Sequence, residues 1–133
     1  TDREKFKICF KKAFTVYFVM GSSIALVFFG FSNELIGLIY GDNFLFSVKI
    51  LEIFSISIAL SFLIFLLSNI LIVSGWEMTN TWSLIGATIF NIALNLAWIP
   101  EHGAIGAAWA TVVCEITLIV ILGLQSRKAF KEP

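Results

Sequence analysis

The chain has 133 residues, of which 59% are hydrophobic, with nine basic and nine acidic side chains and a mean hydropathy of +0.94. Soluble domains hold about 45–50% apolar residues, and no lysine or arginine occurs between Lys49 and Arg127. This argues against a soluble helical core and a basic nucleic-acid surface, and for an all-α, polytopic transmembrane helix bundle.

Residues 1–12 place Arg3, Lys5, Lys7, Lys11 and Lys12 among Phe6, Ile8 and Phe10, the cationic flank expected where a helix enters a bilayer from the cytoplasm. The chain starts at Thr1 without an initiator methionine, so it reads as the C-terminal part of a longer protein. A first span is expected over 13–32, with Gly21, Ser22 and Ser23 at mid-depth admitting a close neighbour. The following IGLIYGDNF reads as a helix end and a Gly-Asp-Asn turn. A second span, 51–74, carries Ser57, Ser61 and Ser68 on one face, and its Asn69 is expected to bond to a neighbouring helix.

Two further spans, 81–100 and 103–124, are separated only by Pro100-Glu101-His102-Gly103. Each is about 20 residues, or about 30 Å of helix, so together they form an antiparallel hairpin. Pro100 is expected to end the first helix, and Gly103 lets the chain reverse. Cations then sort eight to one: Arg3, Lys5, Lys7, Lys11, Lys12, Arg127, Lys128 and Lys131 on one side, Lys49 on the other. By the positive-inside rule both termini, including the tail 125–133, are cytoplasmic.

Polar residues on the hairpin are few. Asn91 and Asn95 lie four apart on one helix face, while Gly103, Gly106, Ala107, Ala110, Thr111 and Cys114 form a small-residue face on the next. The reversal puts Asn95 level with Ala107 or Ala108, and Asn91 level with Thr111. Interhelical hydrogen bonding explains this cluster; so does a degenerate sodium site of neutral oxygens from Asn91, Asn95, Ala107 and Thr111. Glu115 is the one charged residue deep inside a span, about 18 Å from the outer turn, and reads either as a proton or cation partner or as a hydrogen-bonded structural carboxyl. Cys9 and Cys114 read as free thiols and His102 as a solvated turn residue. No nucleophile set, phosphate-cradling loop or cofactor motif is present in the sequence, so no enzyme activity and no cofactor other than sodium is expected.

Four blocks, REKFKICFKKAF, LIGLIYGDNF, LSNILIVSGW and above all NIALNLAWIPEHGAIGAAWATVVCE, resemble the C-terminal part of polysaccharide flippases of the multidrug/oligosaccharidyl-lipid/polysaccharide exporter superfamily. The resemblance implies a transporter of 12 or 14 helices in two lobes that moves a lipid-linked oligosaccharide across the cytoplasmic (inner) membrane by alternating access. This chain would supply four spans of its C-terminal lobe. Its partners would be the bilayer, the lipid-linked glycan and the N-terminal lobe, with no nucleic acid. Arginines that receive the lipid pyrophosphate would come from that other lobe, since no span here contains a cation. In the related lipid II flippases a sodium site uses an Asn and an acid four apart, then a Thr on the next helix. Asn91, Asn95 and Thr111 match those positions, with Ala107 where a carbonyl contributes, and Asn95 departs from the acid. A drug/cation antiporter of the same superfamily and a non-transporting four-span scaffold are the alternatives.

Overall fold

A computed structural model describes residues 2–129, and the side chains from Ile8 onward apart from Asp42. Thr1 and residues 130–133, with Lys131 of the expected cationic tail, lie outside the described residues, as do the side chains of Arg3, Lys5 and Lys7. Four α-helices follow in order: α1 (Asp2–Gly30), α2 (Ser32–Tyr40), α3 (Phe46–Val73) and α4 (Glu77–Ala129), with a 3-10 turn at Asp42–Phe44 between α2 and α3. The described chain is all-α.

Glycine conformations set the breaks. Gly41 has φ 79° and ψ 174°, a region that side chains disfavour, and ends α2 with its N–H donating to Gly37 O at 3.1 Å. α3 closes in a Schellman motif: Gly75, at φ 77°, donates to Ile72 O at 3.1 Å, and Trp76 donates to Leu71 O at 2.8 Å. Trp76 then packs against the cluster of Leu71, Leu118 and Leu122.

α4 would be about 80 Å long if straight. It is not straight, because Gly103 (φ 57°, ψ −140°) leaves helical geometry and reverses the chain. Three hydrogen bonds join residues far apart in α4 and fix the antiparallel pairing of its limbs: Cys114 Sγ to Ala87 O (3.1 Å), Gln125 Nε2 to Ser83 Oγ (2.8 Å) and Ser83 Oγ to Gln125 Oε1 (3.1 Å). Helical backbone runs through Pro100 to His102, so Pro100 does not end the helix as expected. Proline removes one ladder bond, to the carbonyl four residues back, and near a helix end one lost bond does not break it. The reversal is concentrated at Gly103.

α1 packs along α3, which packs along α4. Tyr17 meets Phe62 and Phe65, while Phe29 and Ser55 share one groove, so α1 and α3 are antiparallel. Ile53 packs with Ala108 and Val112, and Leu71 with Leu118 and Leu122, so α3 runs parallel to the second limb of α4. The start of α1 and the end of α4 therefore lie at the same end of the bundle.

The core is thin. Small residues form much of it, with Ala108 and Ala110 fully buried, while Leu26 (70%), Leu38 (86%), Val73 (79%) and Leu96 (74%) stand exposed. Apolar surface of this extent is not sustained in water, where contiguous patches rarely exceed a few hundred Å². Among the described residues three helices are long and apolar enough to cross a membrane, at Ile8–Gly30, Phe46–Val73 and Glu77–Ala129. Membrane protein is the class that this composition and geometry indicate.

Candidate functional site: a carboxyl between α3 and α4

Ser57 and Ser61 sit one helical turn apart, so their hydroxyls project from one face of α3. The two apolar clusters, Ile53 with Ala108 and Val112 on one side and Leu71 with Leu118 and Leu122 on the other, fix the register of α3 against the second limb. Between them Glu115 meets both serines: Ser57 Oγ donates to Oε2 in a short hydrogen bond, and Ser61 Oγ donates to Oε1 at 2.9 Å. Ser57 is buried, Glu115 half-buried and Ser61 open to the outer surface. Each carboxylate oxygen thus has one donor from the facing helix, an arrangement that can hold a negative charge, accept a proton or offer four oxygens to a hard cation. Ser68, the third serine of that face, takes no part in the contact.

The asparagines do something different. Asn95 Nδ2 donates to Asn91 O (2.9 Å) and to Asn91 Oδ1 (2.8 Å), both within its own limb. Thr111 Oγ1 donates to Ala107 O at 3.1 Å, again within one limb. No hydrogen bond among the described residues joins the asparagine pair to Ala107 or Thr111. Asn95 borders a shallow groove with Ile92, Leu96, Ile99 and Pro100, all from its own limb. Among the described residues no group of three or more His, Cys, Asp or Glu side chains could hold a metal ion. Asn69 also turns inward on its own helix, donating to Phe65 O at 2.7 Å rather than to a neighbouring helix as expected. A free amide donor in an apolar setting takes the nearest carbonyl, and the one four residues back is always in reach.

This geometry sharpens the sodium question. Asn95→Asp would remove the donor that now satisfies Asn91 O and Oδ1, leaving a carboxylate facing two acceptors unless a cation sits among them. Wild type should show the same melting temperature in NaCl and in choline chloride, and the variant should be stabilised selectively by sodium. The gain should approach roughly 2.7 kcal/mol once sodium reaches a hundred times Kd. A sodium response in the wild type, or none in either protein, would remove the degenerate-site reading.

Two contacts had no counterpart in the sequence reading. Ser83 and Gln125 exchange hydrogen bonds at the open end of the hairpin, at 2.8 and 3.1 Å, and Cys114 packs its thiol onto the backbone of the facing limb. Counting back from the turn pairs Ser83 with Gln125 to within two residues, a signal available in the sequence once both limbs were set side by side.

Among the described residues the fold and site together define an all-helical membrane protein with a hydroxyl-bridged carboxyl in the second limb of α4. No protein-family model matches the chain, and no curated protein or solved structure matches it. The flippase resemblance accordingly stands on the four sequence blocks themselves.

Proposed function

We propose that this chain forms four membrane-spanning limbs of the C-terminal lobe of a transporter, one that moves a lipid-linked oligosaccharide across the cytoplasmic membrane by alternating access. The observation that carries the reading is the hairpin. Its block NIALNLAWIPEHGAIGAAWATVVCE is the most specific part of the flippase resemblance, and in the fold it is the stretch where two apolar limbs reverse at Gly103 with Gly106 against the Trp98 backbone. The exposed apolar faces of α1 and α4 suit a lobe that meets lipid on one side and further helices on the other. Reactive geometry plays no part in the proposal, which is transport without catalysis.

Two experiments test it. Single-cysteine labelling from outside the cell should modify positions 42 and 102 and spare positions 5 and 128, following the eight-to-one distribution of cations. Labelling of position 128 in intact cells would overturn the orientation. Depleting the full-length protein should then strand a lipid-linked oligosaccharide in the cytoplasmic leaflet. Unchanged glycan export together with sensitivity to organic cations would favour the antiporter.

A further inference from the structure

A carboxylate in an apolar setting costs several kcal/mol unless its charge is compensated. Glu115 has no cation to do this. Among the described residues its polar partners are Ser57 and Ser61 alone. The ionisable groups elsewhere on α3 are Glu52 and Lys49, about 7.5 and 12 Å along the helix before Ser57. On α4 the neighbouring Cys114 directs its thiol to Ala87 O in the other limb, at 3.1 Å. The first limb presents Thr88 and Asn91 near this depth, neither of which titrates. On α1, Tyr17 packs its ring against Phe62 and Phe65. None of these neutralises the charge, and protonation needs no further ligand.

We propose that Glu115, Ser57 and Ser61 form an intramembrane proton-binding site whose occupancy sets how tightly α3 docks on the second limb of α4. Without the proton, both hydroxyls donate to the carboxylate, and two charge-assisted bonds tie the helices together. With the proton bound, the new carboxyl O–H donates to one serine oxygen and the carbonyl oxygen accepts from the other. A serine hydroxyl can serve in either sense, so both forms are hydrogen-bonded. The bonds become neutral, however, and charge-assisted bonds are about twice as strong as neutral ones. One proton therefore loosens the interface without orphaning a polar group. Ser61 lies at the open edge of the contact, where the carboxyl is least enclosed. This inference rests on the membrane reading of α3 and α4 and is independent of the transported substrate, so its failure would leave the lobe assignment standing.

The test places paramagnetic labels at positions 56 and 116 of the full-length protein in lipid nanodiscs, with Cys9 replaced by serine, and follows their separation with pH. Ile56 and Ile116 are both exposed and adjoin the site. Lowering pH should shift the ratio of docked to loosened populations by about fivefold for each bond that loses its charge. Glu115→Gln should hold one distribution at every pH. An infrared carbonyl band of the protonated carboxyl should appear in the wild type at low pH and be missing from Glu115→Gln. If that variant does not fold, the Ser57→Ala, Ser61→Ala double variant should keep the carbonyl band and lose the pH-dependent separation. A pH-independent separation in the wild type would overturn the proposal, as would a response that survives in either variant. A shift driven by NaCl against choline chloride at constant pH would also overturn it, and would make the site one for a metal cation.

Discussion

Replacing Gly106 by alanine should destabilise the protein, although the same change at an exposed helical glycine stabilises by up to about 1 kcal/mol. A Cβ at position 106 would lie 2.6 Å from Trp98 O and 3.0 Å from both Trp98 C and His102 Cβ. Two of those three atoms are backbone on the opposing side of the turn, and Gly103 already holds that turn at φ 57°. Neither limb can withdraw without opening the hairpin. Overpacking of this kind costs about 1–3 kcal/mol for modest insertions, and Gly106→Leu should exceed that range and abolish the folded hairpin. Gly86 and Gly123 lie on the same long helix with nothing within 4 Å of a built Cβ, and serve as controls. Thermal melting and monodisperse yield should fall in the order Gly86→Ala, wild type, Gly106→Ala, Gly106→Leu. Equal melting of wild type and Gly106→Leu would show that the two limbs are not in close contact.

A second large effect is expected at Gly21→Leu, which should release α1 from α3. A Cβ there would meet Phe62 Cβ at 2.9 Å, Cγ at 3.0 Å and Cδ2 at 3.1 Å. Phe62 can turn its ring but not its Cβ, so alanine should be tolerated poorly and leucine not at all. α1 has little else to hold it: it packs on α3 and scarcely on α4. The tilted ring contacts of Tyr17 with Phe62 and Phe65 depend on the same close approach. Cysteines introduced at Ser22 and Ala59, which line the same groove, report on the interface. Their oxidative cross-link should form with Gly21 present and fail with Gly21→Leu. Undiminished cross-linking in the variant would refute this account of how α1 is held.

These two glycines differ in how they could be read. Gly21 stands with Ser22 and Ser23 in a small-residue cluster, and such a cluster in an apolar helix announces a close neighbour without saying which. Only the packing of α1 on α3 identified Phe62. Gly106 belonged to a small-residue face that called for close backbone contact, and only the tertiary structure identified the Trp98 carbonyl as what it meets.

The sequence by itself determined the all-helical class, the breaks near Gly41 and Gly103, and the reversal of the last two apolar segments. These depend on hydropathy, helical period and glycine's access to positive φ, which are properties of a residue and its near neighbours. It also placed Ser57 and Ser61 on one face and Glu115 in an apolar helix, but as separate observations. Tertiary structure decided that they meet, because that depends on the rotation and register of α3 against the second limb of α4, set by the packing of Ile53 with Ala108 and Val112 and of Leu71 with Leu118 and Leu122. It likewise decided that Asn69, Asn95 and Thr111 bond within their own helices. An amide or hydroxyl donor in an apolar helix has a carbonyl of its own helix within reach, whereas the Glu115 carboxylate accepts its hydrogen bonds from hydroxyls that only the approach of α3 supplies.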